Sequence, residues 1–450
     1  MKDKVLFFII GLLIGAIVVA SVFLIYKNVN KDTSQMPSGD QMMERPDGEA
    51  PPDKPDGNGG QPVADRNASH TGATEISSDT TENGKTYSSD TASQNSLLVT
   101  GGTSTLTDST IIKSGDSDGD NSDFYGTNAA VLVKEGTLNI NGGSIATNGS
   151  HTNAVFAYSN GTINISDTKI KTESNNSGAI MVTGGGTLTA NNVTAETEGN
   201  SSAPIRSDRG GGTLIANGGT YTSHGIGSPA IYSTADITVN DATLVSTKSE
   251  GAVVEGKNSI TLNNVNLTDT NTSLNGNSET YKNIFLYQSM SGDADEGTAS
   301  FIANDSSITT NKGDTIFVTN TKATISLTNN KIINNDKTSG FLRIQAGKWG
   351  NSGSNGGEVS LNANNQVIEG DIFVDNISTL TMKLSSGSSY TGTINNENTA
   401  KSIDVILDSS STIKLTGDSY VTSLKNEISD NSNIDFNGYK LYVNGVDISV

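Results

Sequence analysis

One short pattern returns along this chain at intervals of about 25 residues. "GTLNINGGSI" at 136–145 is followed by "GTINISDTKI" at 161–170 and by "GTLTANNVTA" at 186–195. Each copy holds two apolar residues two positions apart, which is the period of a strand with one buried face. Because a repeat of this length cannot bury its apolar side alone, the copies are expected to stack on one another as a solenoid.

Nine copies of the pattern align into three columns. The first apolar column is Leu138, Ile163, Leu188, Leu214, Ile237, Ile260, Phe301, Ile325 and Val359. The second apolar column is Ile140, Ile165, Ala190, Ala216, Val239, Leu262, Ala303, Leu327 and Leu361. The turn column is Asn141, Ser166, Asn191, Asn217, Asn240, Asn263, Asn304, Thr328 and Asn362. One Asn after a strand is an ordinary turn former, but an Asn in almost every copy predicts a ladder of stacked amides, each donating to the next.

Two further strands complete each repeat. An apolar strand such as "AVFA" at 154–157 precedes each copy, and a short strand such as "TKIK" at 168–171 follows its turn. Three short strands in about 23 to 26 residues are typical of an all-β fold, the right-handed single-stranded parallel β-helix. We expect about eleven coils, which at about 4.8 Å per coil form a rod roughly 50 Å long.

The N-terminal segment, residues 1–27, differs from the repeats. Its residues 5–26 are uncharged and mostly apolar, and as a helix they would be about 33 Å long, enough for a hydrocarbon core of about 30 Å. We expect an uncleaved signal anchor that crosses the cell membrane once and leaves the β-helix outside. A cleavable signal peptide is the alternative.

The rest of the chain, after residue 27, is divided into three segments by its composition and repeat pattern. Residues 28–95 are hydrophilic and hold six of the eight prolines, so we expect a disordered linker there. The β-helix is expected over residues 96–430. Residues 431–450 are interpreted as strands that cap its last open edge.

The charge and the missing cysteines exclude several classes of function. The net charge of −20 would repel a phosphate backbone, so no nucleic-acid partner is expected. The absence of Cys removes disulfides and thiolate chemistry. The three histidines, His70, His151 and His224, are interpreted as solvated loop residues, and no cofactor is expected. The oligomeric state stays open.

The coil pattern with its Asn ladder resembles pectate-lyase-like parallel β-helices. The segments "YQSMSGDADEGT" at 287–298 and "KWGNSGSNGG" at 348–357 are similar to those of uncharacterised, adhesin-like, membrane-anchored exported proteins of Gram-positive bacteria. The resemblance covers roughly residues 95–450 and implies an architecture, not an activity.

Enzymes that share this architecture degrade polysaccharides with clustered Asp residues, a calcium ion or an Arg base on the outer face of one sheet. An Asp pair followed by Gly-His-Gly is absent, and the order of residues in "PIRSDRGG" at 204–211 does not match the lyase Arg motif. Whether the chain is an enzyme therefore stays open, with a non-catalytic role favoured.

The strand that precedes each copy indicates a candidate surface. Its expected inward residues are Val131, Val155, Ile180, Ile205, Ile231, Val253, Phe285, Ile316, Leu342 and Phe373. The next residue of each strand should face outward, and these residues are Leu132, Phe156, Met181, Arg206, Tyr232, Val254, Leu286, Phe317, Arg343 and Val374. Such an apolar stripe is either an exposed interaction surface or a second small core beneath a long loop.

Two long connections follow this strand and are expected to emerge side by side. One carries the acidic residues Asp293, Asp295 and Glu296, and the other carries Trp349, the only tryptophan. With Arg206, Tyr232 and Arg343 of the stripe they are the candidate ligand-binding residues. Trp349 could stack on a sugar, with carboxylates and amides as partners for its hydroxyls, or it could pack under its own loop.

A third feature is "SGDSDGDNSDFYG" at 114–126. Its candidate calcium ligands are Asp116, Asp118, Asp120 and Asp123. The segment lacks the glycine and the bidentate glutamate of an EF-hand, so a solvated acidic turn is favoured over a Ca²⁺ site.

Taken together, these features predict a cell-surface, adhesin-like protein whose β-helical rod contacts a glycan or another surface macromolecule. A polysaccharide lyase or hydrolase with an unrecognised site is the first alternative. A structural spacer of the cell envelope is the second.

Overall fold

The computed structural model describes residues 69–449 except 118, 276–277 and 290. The predicted membrane anchor, residues 5–26, and most of the predicted linker lie outside the described residues. In the described part of the chain, no helix is long and apolar enough to cross a membrane.

The described chain is an all-β parallel solenoid of about 15 coils, and each coil contributes strands to three parallel ribbons. Ribbon 1 contains Gly72–Ile76, the first parts of Asn95–Thr107, Val131–Asn141 and Val155–Ser166, and then Ile180–Thr183, Ile205–Ser207, Ile231–Ser233, Ala252–Glu255, Lys282–Tyr287, Asp314–Thr319, Leu342–Ile344 and Ile372–Val374. Ribbon 2 contains Thr80–Asn83, the second parts of the same three long strands, and then Gly186–Asn191, Gly212–Asn217, Asp236–Asn240, Ser259–Asn263, Thr298–Asn304, Thr321–Thr328, Gly357–Asn364, Thr379–Ser385, Ser402–Leu407 and Ser423–Asn426.

Ribbon 3 consists of short strands, most of them four residues long. It contains Thr86–Ser89, Thr110–Lys113, Ser144–Thr147, Lys169–Thr172, Thr194–Thr197, Thr220–Ser223, Thr243–Ser246, Asn266–Asp269, Ser307–Thr310 and Lys331–Asn334, followed by a separate set of Val367–Glu369, Ser389–Gly392, Thr412–Leu415 and Ile434–Asp435. At the C-terminal end Ser419–Val421 pairs in parallel with Leu441–Val443, which pairs antiparallel with Val446–Asp447. This antiparallel pair lies in the segment 431–450, for which capping strands are predicted, and Ile434–Asp435 of the same segment pairs in parallel with the preceding coil.

The expected number of eleven coils is too low. The first coil, Gly72–Ser89, lies inside the predicted linker, and its strand Thr80–Asn83 has the sequence TTEN with no apolar residue. Near the other end, Thr379–Ser385 and Ser402–Leu407 do not end in Asn. The apolar and Asn pattern therefore disappears at both ends of the solenoid, although the strands continue. About 15 coils at about 4.8 Å each give a stack roughly 70 Å long.

The two apolar columns form the core, as predicted. Leu138, Ile163, Leu188 and Leu214 pair in register from coil to coil, and each has no exposed surface. The ninth copy of the sequence alignment is shifted by two residues. The alignment places Val359 beside Ile325, but Leu361 pairs with Ile325 in the structure. In that copy the second core residue is therefore Ala363 and the turn residue is Asn364, since they pair with Leu327 and Thr328.

The predicted Asn ladder is confirmed along the outer edge of ribbon 2. The side-chain amide of each Asn donates to the amide oxygen of the Asn one coil earlier. The distances are 3.0 Å from Asn217 to Asn191, 2.8 Å from Asn240 to Asn217, 2.8 Å from Asn263 to Asn240 and 2.9 Å from Asn304 to Asn263. The ladder joins five successive coils at this turn, and the Asn264 amide, which donates to the Asp241 carboxylate at 2.7 Å, adds a second side-chain link beside it.

A second, internal polar column runs along ribbon 3. Its members are Ser89, Lys113, Thr147, Thr172, Thr197, Ser223, Ser246, Asp269, Thr310 and Asn334, paired coil by coil. Many of these hydroxyls donate to backbone carbonyls at the next corner, as Thr172 does to the Ser177 carbonyl at 2.6 Å. Lys113 and Asp269 are the two charged members and have no exposed surface.

Candidate functional site

The outward column of ribbon 1 is partly different from the prediction. Strand register places in it Leu98, Leu132, Phe156, Met181, Arg206, Tyr232, Val253, Phe285, Phe317, Arg343 and Phe373. Three strands are shifted by one residue. Val254, Leu286 and Val374 face the core instead of solvent, and Ala252, Ile284 and Ile372 take the inward places assigned to Val253, Phe285 and Phe373.

The N-terminal part of this column is covered, so the expectation of a continuous exposed stripe is wrong there. The short helix Asp120–Tyr125 lies over it, and Leu132, Phe156 and Met181 have no exposed surface. The Thr183 hydroxyl holds the helix in place, because it donates a hydrogen bond of 2.7 Å to the backbone carbonyl of Phe124. The alternative interpretation, a second small core, is confirmed for these coils.

A second apolar cluster covers the middle of the column. It consists of Val253, Phe285, Tyr287 and Phe317, with Tyr232 and Trp349 packed against it. The Phe285 and Tyr287 rings stack at 4.5 Å between centroids, and the Trp349 ring lies 5.7 Å from Tyr287 at an angle of 48°. Trp349 therefore belongs to a small core, as the alternative interpretation expects, but it is only partly buried.

Trp349 lines a shallow cleft that is open to solvent. Phe285, Phe317 and Lys282 line it together with Trp349, and polar groups come from Thr319, Gln345 and Ser278. One wall is the loop between Ile344 and Gly357. The other is formed by Ser278, Glu279 and Thr280, which the sequence analysis does not single out.

Lys282 at the inner side of the cleft is fully surrounded by partners. Its ammonium lies 3.2 Å from the Glu250 carboxylate and donates to the Ser278 hydroxyl at 2.6 Å and the Thr280 carbonyl at 3.1 Å. It also lies 4.4 Å above the centre of the Phe285 ring. Burial lowers the pKa of Lys282, and the Glu250 carboxylate opposes that shift.

An exposed ion pair spans the mouth of the cleft. The Lys348 ammonium lies 3.8 Å from the Glu279 carboxylate, and both side chains are about half exposed, at 50% and 58%. This separation is longer than a hydrogen bond, and exposed pairs of this kind contribute little to stability. Both residues are therefore available to a ligand at the mouth.

Arg343, a predicted ligand-binding residue, is held beside the cleft by its neighbours. Its guanidinium lies 2.6 Å from the Asp314 carboxylate and 4.2 Å above the ring of Phe373. Asp314 is almost fully buried and also accepts from the Gly340 amide at 2.7 Å. Arg343 thus neutralises a buried carboxylate.

A buried acidic cluster adjoins the cleft through Tyr287. The Glu255 carboxylate accepts hydrogen bonds from the hydroxyls of Tyr232, Tyr287 and Ser289. Glu255 is only 1% exposed, and burial raises its pKa. Tyr232, predicted as a ligand-binding residue, is therefore bound to a carboxylate within the protein.

Two other predicted residues, Arg206 and Asp293, each take part in an ion pair beside this cluster. Arg206 lies 2.9 Å from Asp208, and Arg209 lies 2.6 Å from Asp293. Burial raises the pKa of Asp208 to about 6, although Arg206 acts in the opposite direction. The Arg209 guanidinium also lies 3.8 Å above the Phe124 ring, so it connects the short helix to the long loop.

The described parts of the two long loops approach each other at Asn320. The Asn320 amide donates to the Gln288 carbonyl at 2.7 Å, and Gly350 lies against the same Asn320 side chain. Beyond this point they separate, because Asp295 pairs with Lys257 at 2.8 Å, in an earlier coil. Glu296 lies on the exposed side of the same loop, so the predicted acidic residues and Trp349 do not form one site.

Two of the four candidate calcium ligands, Asp116 and Asp123, have described side chains, and each has a partner within the protein. Asp116 accepts from the Ser150 amide at 2.7 Å, and Asp123 lies 2.8 Å from His151. Asp118 lies outside the described residues, and Asp120 begins the short helix. His151 is therefore not a solvated loop residue, since it shares a partly buried contact with Asp123.

In the described part of the chain, one other group has a spacing that could hold a metal ion: Glu196, Glu198 and His224. Its members already have partners. His224 contacts Glu196 at 3.0 Å and Thr247 at 3.1 Å, and Glu198 lies 3.5 Å from Lys171.

Sequence reasoning missed Lys282 and Phe285 as cleft residues, whereas it placed Phe317 correctly in the outward column. An error of one residue placed Phe285 in the core, and Lys282 carries no motif that marks it. Compared with protein-family models, with curated proteins and with solved structures, the chain matches none, so the candidate site rests on the geometry described above.

Proposed function

We propose that the protein is a carbohydrate-binding rod of the cell surface, and that the cleft beside Trp349 holds the ligand. The observation that carries this proposal is a half-buried tryptophan on a base of Phe285 and Phe317 that continues into an open cleft. Aromatic faces supply apolar contact area to a sugar ring. The polar groups of Thr319 and Gln345 at the same cleft supply partners for its hydroxyls.

The rest of the molecule fits a display role. The solenoid places the cleft on the outer face of ribbon 1, where two inserted loops rise above otherwise short connections. Residues 5–26 would anchor the chain in the cell membrane, and the following proline-rich segment would hold the solenoid away from it. This arrangement agrees with the resemblance to adhesin-like exported proteins.

Binding to a glycan array tests the proposal. The full-length protein, purified in detergent, should bind at least one glycan class. Trp349→Ala should reduce the affinity about tenfold or more, because truncating a central aromatic residue typically costs about 2 kcal/mol. Tyr439→Ala is the matched control, since Tyr439 is an exposed aromatic residue, 40% exposed, in the C-terminal coils. Equal binding by the two variants would contradict the cleft as the site.

A polysaccharide-cleaving enzyme is the second candidate function. It is favoured by two carboxyl groups on the outer face of ribbon 1, Asp208 and Glu255, whose pKa values are both raised, since an acid catalyst must keep its proton near neutral pH. Binding is placed first because both groups are buried and fully occupied by protein partners. Shortening of a polysaccharide by the wild-type protein but not by Glu255→Gln would favour the enzyme.

A further inference from the structure

We infer that Glu196, Glu198 and His224 form a zinc site on the outer face of ribbon 3, whereas the cleft of the proposed function lies on ribbon 1. One ligand atom from each of the three side chains lies within 4.8 Å of the other two. Two ligand atoms bound to one tetrahedral zinc ion are about 3.4 Å apart, so small rotations of the side chains bring all three into coordination distance. An imidazole nitrogen with two carboxylate oxygens is a ligand set that suits zinc, whereas calcium and magnesium take oxygen ligands.

The solenoid fixes the relative positions of the three ligands. Glu196 lies on the outward side of strand Thr194–Thr197, and Glu198 follows two residues later, so both carboxylates lie on the same side of the backbone. The His224 amide donates to the Thr197 carbonyl at 2.8 Å, and this bond places His224 beside Glu198, one coil later. The three side chains therefore come from two hydrogen-bonded coils and meet without a rearrangement of the backbone.

A neighbouring threonine determines which ring nitrogen of His224 binds the ion. The Thr247 hydroxyl donates to the Ser223 carbonyl at 3.1 Å, so its oxygen accepts from His224 Nδ1, also at 3.1 Å. Nδ1 therefore carries the proton, and the lone pair of Nε2 in the neutral ring points at the Glu196 carboxylate, 3.0 Å away. A lone pair and a carboxylate repel each other unless a proton or a metal ion lies between them. A hydrogen bond from the other ring nitrogen to an outer group is also the usual arrangement of a metal-bound histidine.

The partners that these residues have within the protein do not exclude the ion. Lys171 lies 3.5 Å from Glu198, but the two side chains are 48% and 39% exposed, and exposed pairs contribute little to stability. The contact between His224 and Glu196 joins two ligands of the site, so a zinc ion between them replaces one hydrogen bond with two coordination bonds. The two carboxylates balance the charge of the ion, and the partly exposed position leaves its fourth coordination place to water.

Zinc titration of the full-length protein tests the inference, with the protein purified in detergent without a histidine tag and freed of metal by a chelator. Isothermal titration calorimetry should show saturable binding of one zinc ion per chain. Losing only an outer hydrogen bond to a metal ligand typically costs about 10- to 100-fold in affinity, so Thr247→Val should weaken binding about tenfold. His224→Ala and Glu196→Gln remove ligands and should weaken it by at least that factor.

The matched control is His151→Ala, because His151 also contacts a carboxylate, that of Asp123 at 2.8 Å, but lies outside the group. Its zinc affinity should equal that of the wild type. Absence of saturable zinc binding, or affinities in His224→Ala and Glu196→Gln that match the wild type, would overturn the inference. Displacement of the zinc ion by an equal concentration of calcium would overturn it as well. None of these results bears on the proposed function, because the cleft lies on ribbon 1.

Discussion

The Tyr287 hydroxyl donates a hydrogen bond of 2.8 Å to the buried Glu255 carboxylate. The aromatic ring of the same residue stacks on Phe285 and contacts Trp349. One side chain therefore joins the buried acidic cluster to the wall of the cleft. The apolar cleft and the charged cluster on ribbon 1 are thus parts of one packed unit.

The variant Tyr287→Phe tests the hydroxyl contact with Glu255 separately from the ring contact with Trp349. It removes the hydroxyl and keeps the ring, so Glu255 loses one of its three donors while the contact with Trp349 remains. We expect the free energy of unfolding to fall by about 1.5 to 3 kcal/mol, the usual contribution of a hydrogen bond to a charged group, and glycan binding to stay unchanged. Urea denaturation measures the first effect. Tyr442→Phe, at a partly exposed tyrosine near the C-terminus, should change stability far less, and equal effects would contradict the role of Tyr287.

The Asn ladder is predicted to be cooperative along the stack. Asn240 donates to Asn217 and accepts from Asn263, both at 2.8 Å, so Asn240→Ala removes two bonds and leaves partners unpaired on both sides. We expect a loss of about 1 to 2 kcal/mol. Asn191 accepts from Asn217 at the start of this run, so Asn191→Ala should cost about half as much. Thermal unfolding of the two variants makes the comparison, and equal losses would show that the ladder does not act through its shared bonds.

The internal polar column predicts a specific pH dependence of stability. Burial raises the pKa of Asp269 to about 8, whereas an unfolded Asp titrates near 3.9. Between these values the folded protein binds more protons than the unfolded chain, so this group's contribution to stability is full below about pH 4 and is lost as the pH rises through about 8. Asp269→Asn removes the ionisation, and its melting temperature relative to wild type should be higher at about pH 9 than at about pH 5.

Asp336 serves as a control, because its pKa is lowered whereas the pKa of Asp269 is raised. Hydrogen bonds, first from the Thr338 hydroxyl, lower its pKa to about 2, so its stabilisation is present above about pH 4 and is lost as the pH falls through about 2. Asp336→Asn should therefore destabilise the protein at neutral pH and have little effect at about pH 2. A parallel response of the two variants to pH would refute the assignment of Asp269 as the buried proton-binding group.

The repetitive part of the fold was readable from the sequence because each coil must bury the same two positions. Leu138 and its partners, and the Asn turn after them, follow directly from that requirement. Ribbon 1 was harder. In "AVVE" and "NIFLY" three or more apolar residues are consecutive, so a period of two does not distinguish Val253 from Ala252 or Phe285 from Ile284.

The covering segments and the cleft could not be predicted for a different reason. The helix over the N-terminal coils has six residues, too few to show a helical period, and its sequence indicates an acidic turn instead. The partner of Asp293 is Arg209, 84 residues away, and no local pattern connects them. Trp349 was singled out because it is unique, while the loop with Glu279 that completes its cleft has no distinguishing composition.

The fluorescence of Trp349 tests the central claim most directly. It is the only tryptophan among 450 residues, so its emission reports the cleft without interference from another indole. Titration of the full-length protein with the glycan that binds best should give a saturable change in intensity or wavelength, with the same midpoint as direct binding. Glycan binding that saturates while the emission stays constant would place the ligand elsewhere and contradict the account.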